Sequence, residues 1–362
     1  MSERPTAIVT GIAGNLGQRL LAQVPDYSIV GLDIHPPATT ANFRFERLDL
    51  GVEASCQRLV ELLRETRATA VAHLAFVIDP LRTGVVKVDP MWQINVAGTA
   101  RVMEAIAVVN RTGGNVRKFI FPSSVSAYGP ELPHAVSEDY PLGAHTLPYA
   151  IHKKESDEVV RSRASSLGEC STYILRPHIF AGASMQNYLI GSLRGVPGGR
   201  GSLAKRLRAR GTRLPMMLPR GAQYPMKRFQ FVHVDDMARL LAWILRRPEQ
   251  NPELTILNVA GRGDPVTIQL CARIAGQKVI RMPSRSLCSW VLRTLWSLGI
   301  SDIPPEALPY MIGSYLMDTR RLRSFLGKDY EQVIRYTVEE ALADSFAAAP
   351  TPPISQPATT SV

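Results

Sequence analysis

The first twenty-odd residues limit the fold more than anything else in the chain. Residues 7–10, "AIVT", read as a short buried strand, run directly into "GIAGNLG", and are followed by the helix-compatible "QRLLAQV". Gly11, Gly14 and Gly17 therefore stand between a predicted strand and a predicted helix. Glycines at such a junction allow a tight turn, close backbone approach to a pyrophosphate, and close helix–strand packing. Ile12, Ala13, Asn15 and Leu16 complete the turn, and the helix start offers free N–H groups to negative phosphates. The spacing, G-x-x-G-x-x-G, is one residue longer than the common dinucleotide fingerprint. Its weight comes from the strand before it, the helix after it and an acid at the right distance.

That acid is Asp33, at the end of the second strand candidate "SIVGLD". A carboxylate there accepts from both ribose hydroxyls of NAD and repels the extra phosphate of NADP. No arginine follows it in "DIHPP", so NAD is the expected cofactor. Its structural alternative is a turn-initiating acid before Pro36. Asp49 in "RLDL" is placed to reach the adenine edge.

Strand and helix patterns then alternate. "FRFERLDL", "ATAVAHLAF", "KFIFPSS" and "STYILRP" read as strands, and "ASCQRLVELLRE", "DPMWQINVAGTARVMEAIAVV" and "YAIHKKESDEVVRSRAS" as the helices among them. Such alternation with short links predicts an α/β fold, a Rossmann-type doubly wound parallel sheet covered on both faces. After Pro177 the regularity falls away, and glycine, proline and arginine dominate residues 191–228 until "FQFVHV" and "DDMARLLAWIL" restore order. The expected division is a Rossmann domain over 1–176 and a smaller, mainly substrate-binding lobe over 177–345. Segments around 229–260 return to the first domain, and a tail over 346–362 is too poor in large apolar groups to order. "CSWVLRTLWSLGI" is a strongly apolar helix. Packing inside the second lobe is its expected role, ahead of lining a pocket or resting on a membrane.

Composition narrows the setting. No apolar run is long enough for a membrane-spanning helix, and the early strand leaves no room for a signal peptide. Cys56, Cys170, Cys271 and Cys288 are scattered without metal-ligand spacing, so reduced thiols in a cytoplasmic chain are expected. The net charge of +11 is uneven, with no acidic residue between Glu169 and Asp235. The basic block at 194–228 suits an anionic substrate, a nucleic acid or an acidic lipid surface, or else a solvated face. Sparse aromatics weaken the nucleic-acid option.

Nine motifs in order, "TGIAGNLG", "LD" (32–33), "LDL" (48–50), "HLAF" (73–76), "INVAGT" (94–99), "PSSVSAYG" (122–129), "YAIHK" (149–153), "LRP" (175–177) and "FVHVDDMA" (231–238), resemble the extended short-chain dehydrogenase/reductase, or NAD-dependent epimerase/dehydratase, family. The resemblance implies catalytic roles for Ser124, Tyr149 and Lys153. Tyr149 is the general acid/base, Lys153 holds the nicotinamide ribose, and Ser124 positions the substrate oxygen. Four positions apart on a helix, Tyr149 and Lys153 share a face. A nearby ammonium and the positive nicotinamide ring are together expected to lower the phenol from its ordinary value near ~10. The resemblance further implies cofactor contacts from Leu50, Leu74, Ala75, Phe76, Asn95, Pro122 and Pro177, with Asn95 mainly stabilising its own helix. It also implies a homodimer through the helix bearing Tyr149 and the one near 95–110.

Departures from the pattern bear on the reaction. Dehydrating members resemble "TDE" at the serine, whereas Ser124 is followed by Val125 and Ser126, which leaves no acid for elimination. Hydride transfer at a secondary alcohol or ketone, and epimerisation through a transient ketone, both survive. Ile179 and Phe229 stand where sugar-nucleotide epimerases have an asparagine and a diphosphate-gripping arginine. That favours an alcohol or ketone on an apolar body over a sugar-nucleotide. A non-catalytic cofactor sensor and a nucleic-acid-associated protein are the other readings.

Overall fold

The computed structural model describes residues 4–38, 43–78, 88–248 and 252–347. Its centre is a seven-stranded sheet of β1 (Thr6–Thr10), β2 (Ser28–Asp33), β3 (Arg44–Arg47), β4 (Ala70–His73), β5 (Lys118–Pro122), β6 (Ser171–Pro177) and β7 (Leu254–Val259). The order across the sheet is β7-β6-β5-β4-β1-β2-β3, and every pairing is parallel. β1, β4, β5 and β6 are buried almost throughout, as a sheet covered on both faces requires. Strand order reverses between β1 and β4. Their carboxyl ends, Thr10 and His73, are register partners and open the crevice where such folds bind ligands.

α1 (Asn15–Gln23) packs with the helix Val234–Arg246 on one face. α2 (Ser55–Thr66) and α3 (Gly98–Arg111) cover the other. α4 (Pro148–Arg163) follows, with Pro148 at its first turn, where proline's fixed φ suits a helix start. Its buried face carries His152, Lys153, Ser156 and Asp157, so hydrophobic periodicity hardly marks it. The long helix expected over 89–109 runs without a gap from Val88 to Arg111, with a π-helical turn, Gln93–Ala97, inside it. Asn95 within that turn accepts from Val77 N at 2.7 Å and donates to Val77 O at 3.0 Å. Such π-turns often mark functional sites.

The second lobe is assembled from short pieces: α5 (Tyr188–Arg194), α6 (Ser202–Ala209), α7 (Arg285–Ser297), and two- to four-residue strand pairs such as Met216–Pro219 with Val279–Met282. Its core gathers Leu193, Phe229, Leu292, Met311 and Tyr315. Besides the segment near 229–260, a second stretch returns to the sheet domain. The helix Arg320–Leu326 and residues Tyr330, Val333 and Ile334 join the core beneath β1 and β7. α7 buries Cys288 and Leu292 but turns Trp290 outward, 64% exposed. Most of the expected tail, 348–362, lies outside the described residues; Phe346 packs on the second-lobe core.

Candidate active site

The glycine turn is tight because three backbones meet there. Gly11 has φ +70, and a Cβ on it would lie 2.5 Å from Ala75 N; Gly17's would lie 2.7 Å from Gly11 O. The N-terminus of α1 begins at Gly14 with no side-chain cap, which leaves its amide groups turned to the crevice. Asp33 reaches the turn from β2, accepting from Ala13 N at 3.0 Å and His35 N at 3.3 Å. Asn15 donates to Ser184 Oγ across to the second lobe at 3.0 Å. Asp49 accepts from Gly51 N at 2.8 Å, while Leu50 is buried beside α3.

Beside the turn, His73 is held from both sides. Thr10 Oγ1 lies 2.7 Å from Nδ1 and Thr99 Oγ1 lies 3.0 Å from Nε2. Thr99 donates to Asn95 O, and Thr10 accepts from Ala75 N. Donor counting then makes Nε2 the protonated nitrogen and Nδ1 the acceptor. Burial, with Lys153's charge adding to it, pushes His73 down to about 3. The imidazole is a neutral strut linking β1, β4 and α3. Of these partners only His73 and Asn95 drew attention in the sequence; Thr10 and Thr99 carry no signal apart from their motifs. Asn95 spends its amide on Val77 and so supports the segment carrying Leu74, Ala75 and Phe76, rather than its own helix.

Ser124, Tyr149 and Lys153 come together at the carboxyl end of β5. Ser124 and Ser126 are nearly buried, 2.9 Å apart through their hydroxyls. Burial raises the Tyr149 phenol above its ordinary value, with hydrogen bonds to Ser124 and Ser126 pulling the other way. Without a cofactor in place, burial is thus the larger influence on the phenol. Lys153 Nζ donates to Pro122 O at 2.6 Å and sits 3.5 Å over the Phe76 ring. Desolvation brings Lys153 down to about 7, against the pull of Asp157. Phe76 meets Tyr149 edge-on at 5.9 Å, so one aromatic ring contacts both. Ser123 Oγ is buried without a hydrogen-bond partner among the described residues.

The site is braced from below by an ion pair that sequence reading passed over. Arg176 on β6 is fully buried and grips Asp157 of α4 with two bonds of 2.8 and 2.9 Å. It also donates to Tyr128 Oη and Glu138 O, both at 2.7 Å. Pro177, next along, ends the strand.

On the substrate side the departures noted in the sequence take physical form. Phe229 is fully buried and packs edge-on against Tyr315 at 5.6 Å. Its neighbour Gln230 exchanges two hydrogen bonds with the Met317 backbone, of 2.9 and 3.1 Å. Ile179 rests on the same core. A cavity of about 80 Å³ lies beneath α7, lined by Val196, Met217, Leu292, Leu295, Ile303 and Met311 among others. Ile303 also packs against the cluster of Leu147, Ala150 and Tyr310 on which Tyr149 rests.

A family model described as "NAD dependent epimerase/dehydratase family" matches residues 7–260. Among curated proteins, UDP-glucose 4-epimerase of Erwinia amylovora is 29% identical over 203 residues, 52% of this chain and 58% of that protein. UDP-glucose 4-epimerase 4 of Oryza sativa subsp. japonica is 26% identical over 208 residues, 53% of this chain and 54% of that protein. The chain thus matches little more than half the length of these relatives. Among solved structures, the UDP-glucose 4-epimerase of Thermus thermophilus in complex with NAD aligns with TM-score 0.65 at 19% identity, covering 95% of this chain and 99% of that one. MoeE5 in complex with UDP-glucuronic acid and NAD aligns with TM-score 0.61 at 21% identity, covering 94% and 98%. At such identities these structures establish the fold.

Proposed function

Since the chain belongs to the NAD-dependent epimerase/dehydratase family, we propose that it is an NAD-dependent oxidoreductase acting at a secondary alcohol or ketone, with Tyr149 as general acid/base. The observation that carries this reading is the convergence of Ser124, Tyr149 and Lys153 at the end of β5, beside a glycine turn with no room for side chains. The turn fits a dinucleotide. A Cβ at Gly11 would strike Ala75 N, the α1 N-terminus is uncapped, and Asp33 stands where a ribose would be met.

NAD, when bound, supplies the acceptor or donor of hydride. Gly11 to Gly17 and the start of α1 hold the pyrophosphate, and Asp33 holds the adenosine ribose in preference to a 2′-phosphate. Leu50, Leu74, Ala75, Phe76, Pro122 and Pro177 line the cleft. Lys153 holds the second ribose. Ser124 binds the substrate oxygen, and Tyr149 takes the hydroxyl proton in oxidation or returns one to the carbonyl oxygen in reduction. With Val125 and Ser126 in place of carboxylates, the site lacks the acid and base that dehydrating members carry beside the serine. Phe229 and Ile179 support a substrate with an apolar body, since neither offers a polar group to a diphosphate. A cytoplasmic homodimer paired through α3 and α4 belongs to the same reading.

The names of the curated relatives favour a second reading, epimerisation of a sugar-nucleotide through a transient ketone. Nicotinamide absorbance followed across UDP-glucose, sterol alcohols and aromatic secondary alcohols separates the two. Net NADH formation supports the first; a changed sugar epimer without net NADH supports the second. Tyr149→Phe is expected to lower turnover by roughly 10²–10⁴-fold while NAD affinity stays within about twofold. Wild-type turnover in that variant would remove the mechanism.

A further inference from the structure

The second lobe carries a surface that the chemistry at Tyr149 does not use. Two stretches contribute most to it, residues 178–234 and 265–301, and together they hold fifteen Lys and Arg and no Asp or Glu. Some of these cations serve the fold. Arg208 donates to Gly199 O at 2.8 Å, Arg213 to Arg194 O at 3.0 Å and Arg281 to Gly221 O at 2.7 Å. Arg200, Lys205, Arg206, Arg210, Arg285 and Arg293 are exposed and meet no carboxylate among the described residues.

The same surface exposes large apolar side chains. Trp290 is 64% exposed, Leu298 57%, Val196 53% and Leu203 44%. Leu203 and Leu298 adjoin because α6 starts where α7 ends. Gly201 N donates to Gly299 O and Gly199 N to Ile300 O, both at 2.9 Å, which sets Arg200 and Leu203 beside Leu298. Along α7, Trp290, Arg293 and Ser297 recur at three- and four-residue spacing, so they line one stripe. Trp290 lies about 12 Å from Leu298 along that axis. α6 buries Ala204 and turns Leu203, Lys205, Arg206 and Arg210 outward.

We propose that the face formed by α6 and α7 docks on an anionic lipid bilayer, with Trp290, Leu298, Leu203 and Val196 entering the headgroup region and the surrounding arginines and lysine meeting lipid phosphates. Basic residues around a Trp/Leu ridge are the pattern of interfacial binding. Among the described residues no helix is long and apolar enough to cross a membrane, so the contact is peripheral. Nucleic acid fits less well, because the exposed apolar groups are mostly aliphatic and offer little to stack on bases. Val196 lines the cavity beneath α7 as well as being exposed.

The test uses the full chain with vesicles of phosphatidylcholine alone and of an equal mixture with phosphatidylglycerol, read by cosedimentation. Binding to the mixed vesicles, weakened by salt, and little or none to phosphatidylcholine is expected. Arg206→Glu with Arg210→Glu should weaken binding about tenfold or more. Trp290→Ser should weaken it several-fold with an unchanged melting temperature. Absence of binding to the mixed vesicles at low salt overturns the proposal, as does equal binding to both kinds. Undiminished binding by the Trp290 variant, or tighter binding to a short DNA duplex or RNA hairpin than to the mixed vesicles, overturns it too. None of these readouts depends on NAD-linked turnover.

Discussion

The two regions that meet at the site treat buried polarity in opposite ways. In the sheet domain polar groups are taken inside and tied to one another: Thr10, His73, Thr99 and Asn95 form one chain of hydrogen bonds that ends on the backbone of Val77. In the second lobe the interior facing the site is aromatic and aliphatic, built around Phe229, Tyr315 and Met311. Its polar insiders, Gln230 and His178, bond mainly to backbone, and its charges lie outside. The first region thus holds reacting groups in fixed orientations, because a satisfied polar network permits few arrangements. The second supplies shape and an apolar wall, and leaves its electrostatics to the outer surface.

The sharpest way to break this contrast lies at the joint between the regions. Arg176 ties α4, the helix bearing Tyr149 and Lys153, through Asp157 to Tyr128 and Glu138. Asp157→Asn leaves a fully buried guanidinium without its counter-charge, and is expected to cost roughly 3–5 kcal/mol. Arg176→Met with Asp157→Leu should recover a large part of that loss, since replacing both ions by apolar groups removes the uncompensated charge. Urea melts of the single and double variants check this. A single variant as stable as wild type would show that the network is slack.

A somewhat smaller effect tests the second lobe. Phe229 occupies a position where a ligand-gripping side chain would have shown itself by binding rather than stability. As a fully buried ring against Tyr315, its replacement by Ala is expected to cost about 3 kcal/mol. NAD affinity should stay within about twofold. Titration calorimetry beside a urea melt reads both, and a stable variant with weakened NAD binding would move Phe229 from the core into the site.

How much of this was legible in the sequence follows the same division. The sheet domain announces itself because its elements are long, periodic and punctuated by glycines whose conformations no other residue fits, as at Gly11. The catalytic helix is legible only through its motif, since Lys153, Ser156 and Asp157 make its buried face polar. The π-turn at Asn95 has no local signature; it depends on an amide reaching Val77, a contact between distant segments. In the second lobe, α7 apart, strands of two to four residues and helices of four to eight carry too little periodicity to read. The return of Leu322, Leu326 and Ile334 to the sheet domain is a tertiary fact without a sequence marker. The surroundings of Tyr149 and Lys153 were hidden for a related reason. Spacing showed that the two share a face, but not that both would be buried or that Lys153 would bond Pro122.

Acid stability supplies the finest comparison, since His73 and His178 are both fully buried and neutral. Burial pushes His73 in the sheet domain and His178 in the second lobe down to about 3, Lys153's charge adding to it at His73 and backbone bonds opposing it at His178. Unfolded, both titrate at 6.5. Between those values the unfolded chain binds a proton that the folded chain refuses. Each histidine therefore contributes stability that is complete above about 6.5 and is lost as pH falls toward about 3, at about 1.4 kcal/mol per pH unit. His152, lowered by burial with Glu155 opposing, adds in the same direction. Lys153 acts elsewhere: it is protonated in both states below about 7, so its contribution rises with pH above that value and leaves the acid limb unchanged. His73→Gln and His178→Gln should each lower the slope of unfolding free energy between pH 4.5 and 6.5 by about one proton. Equal reductions would show that the polar network around His73 and the Tyr315 stack around His178 exclude a proton equally well. A slope unchanged in His178→Gln alone would mean that the second lobe admits water to its interior where the sheet domain does not.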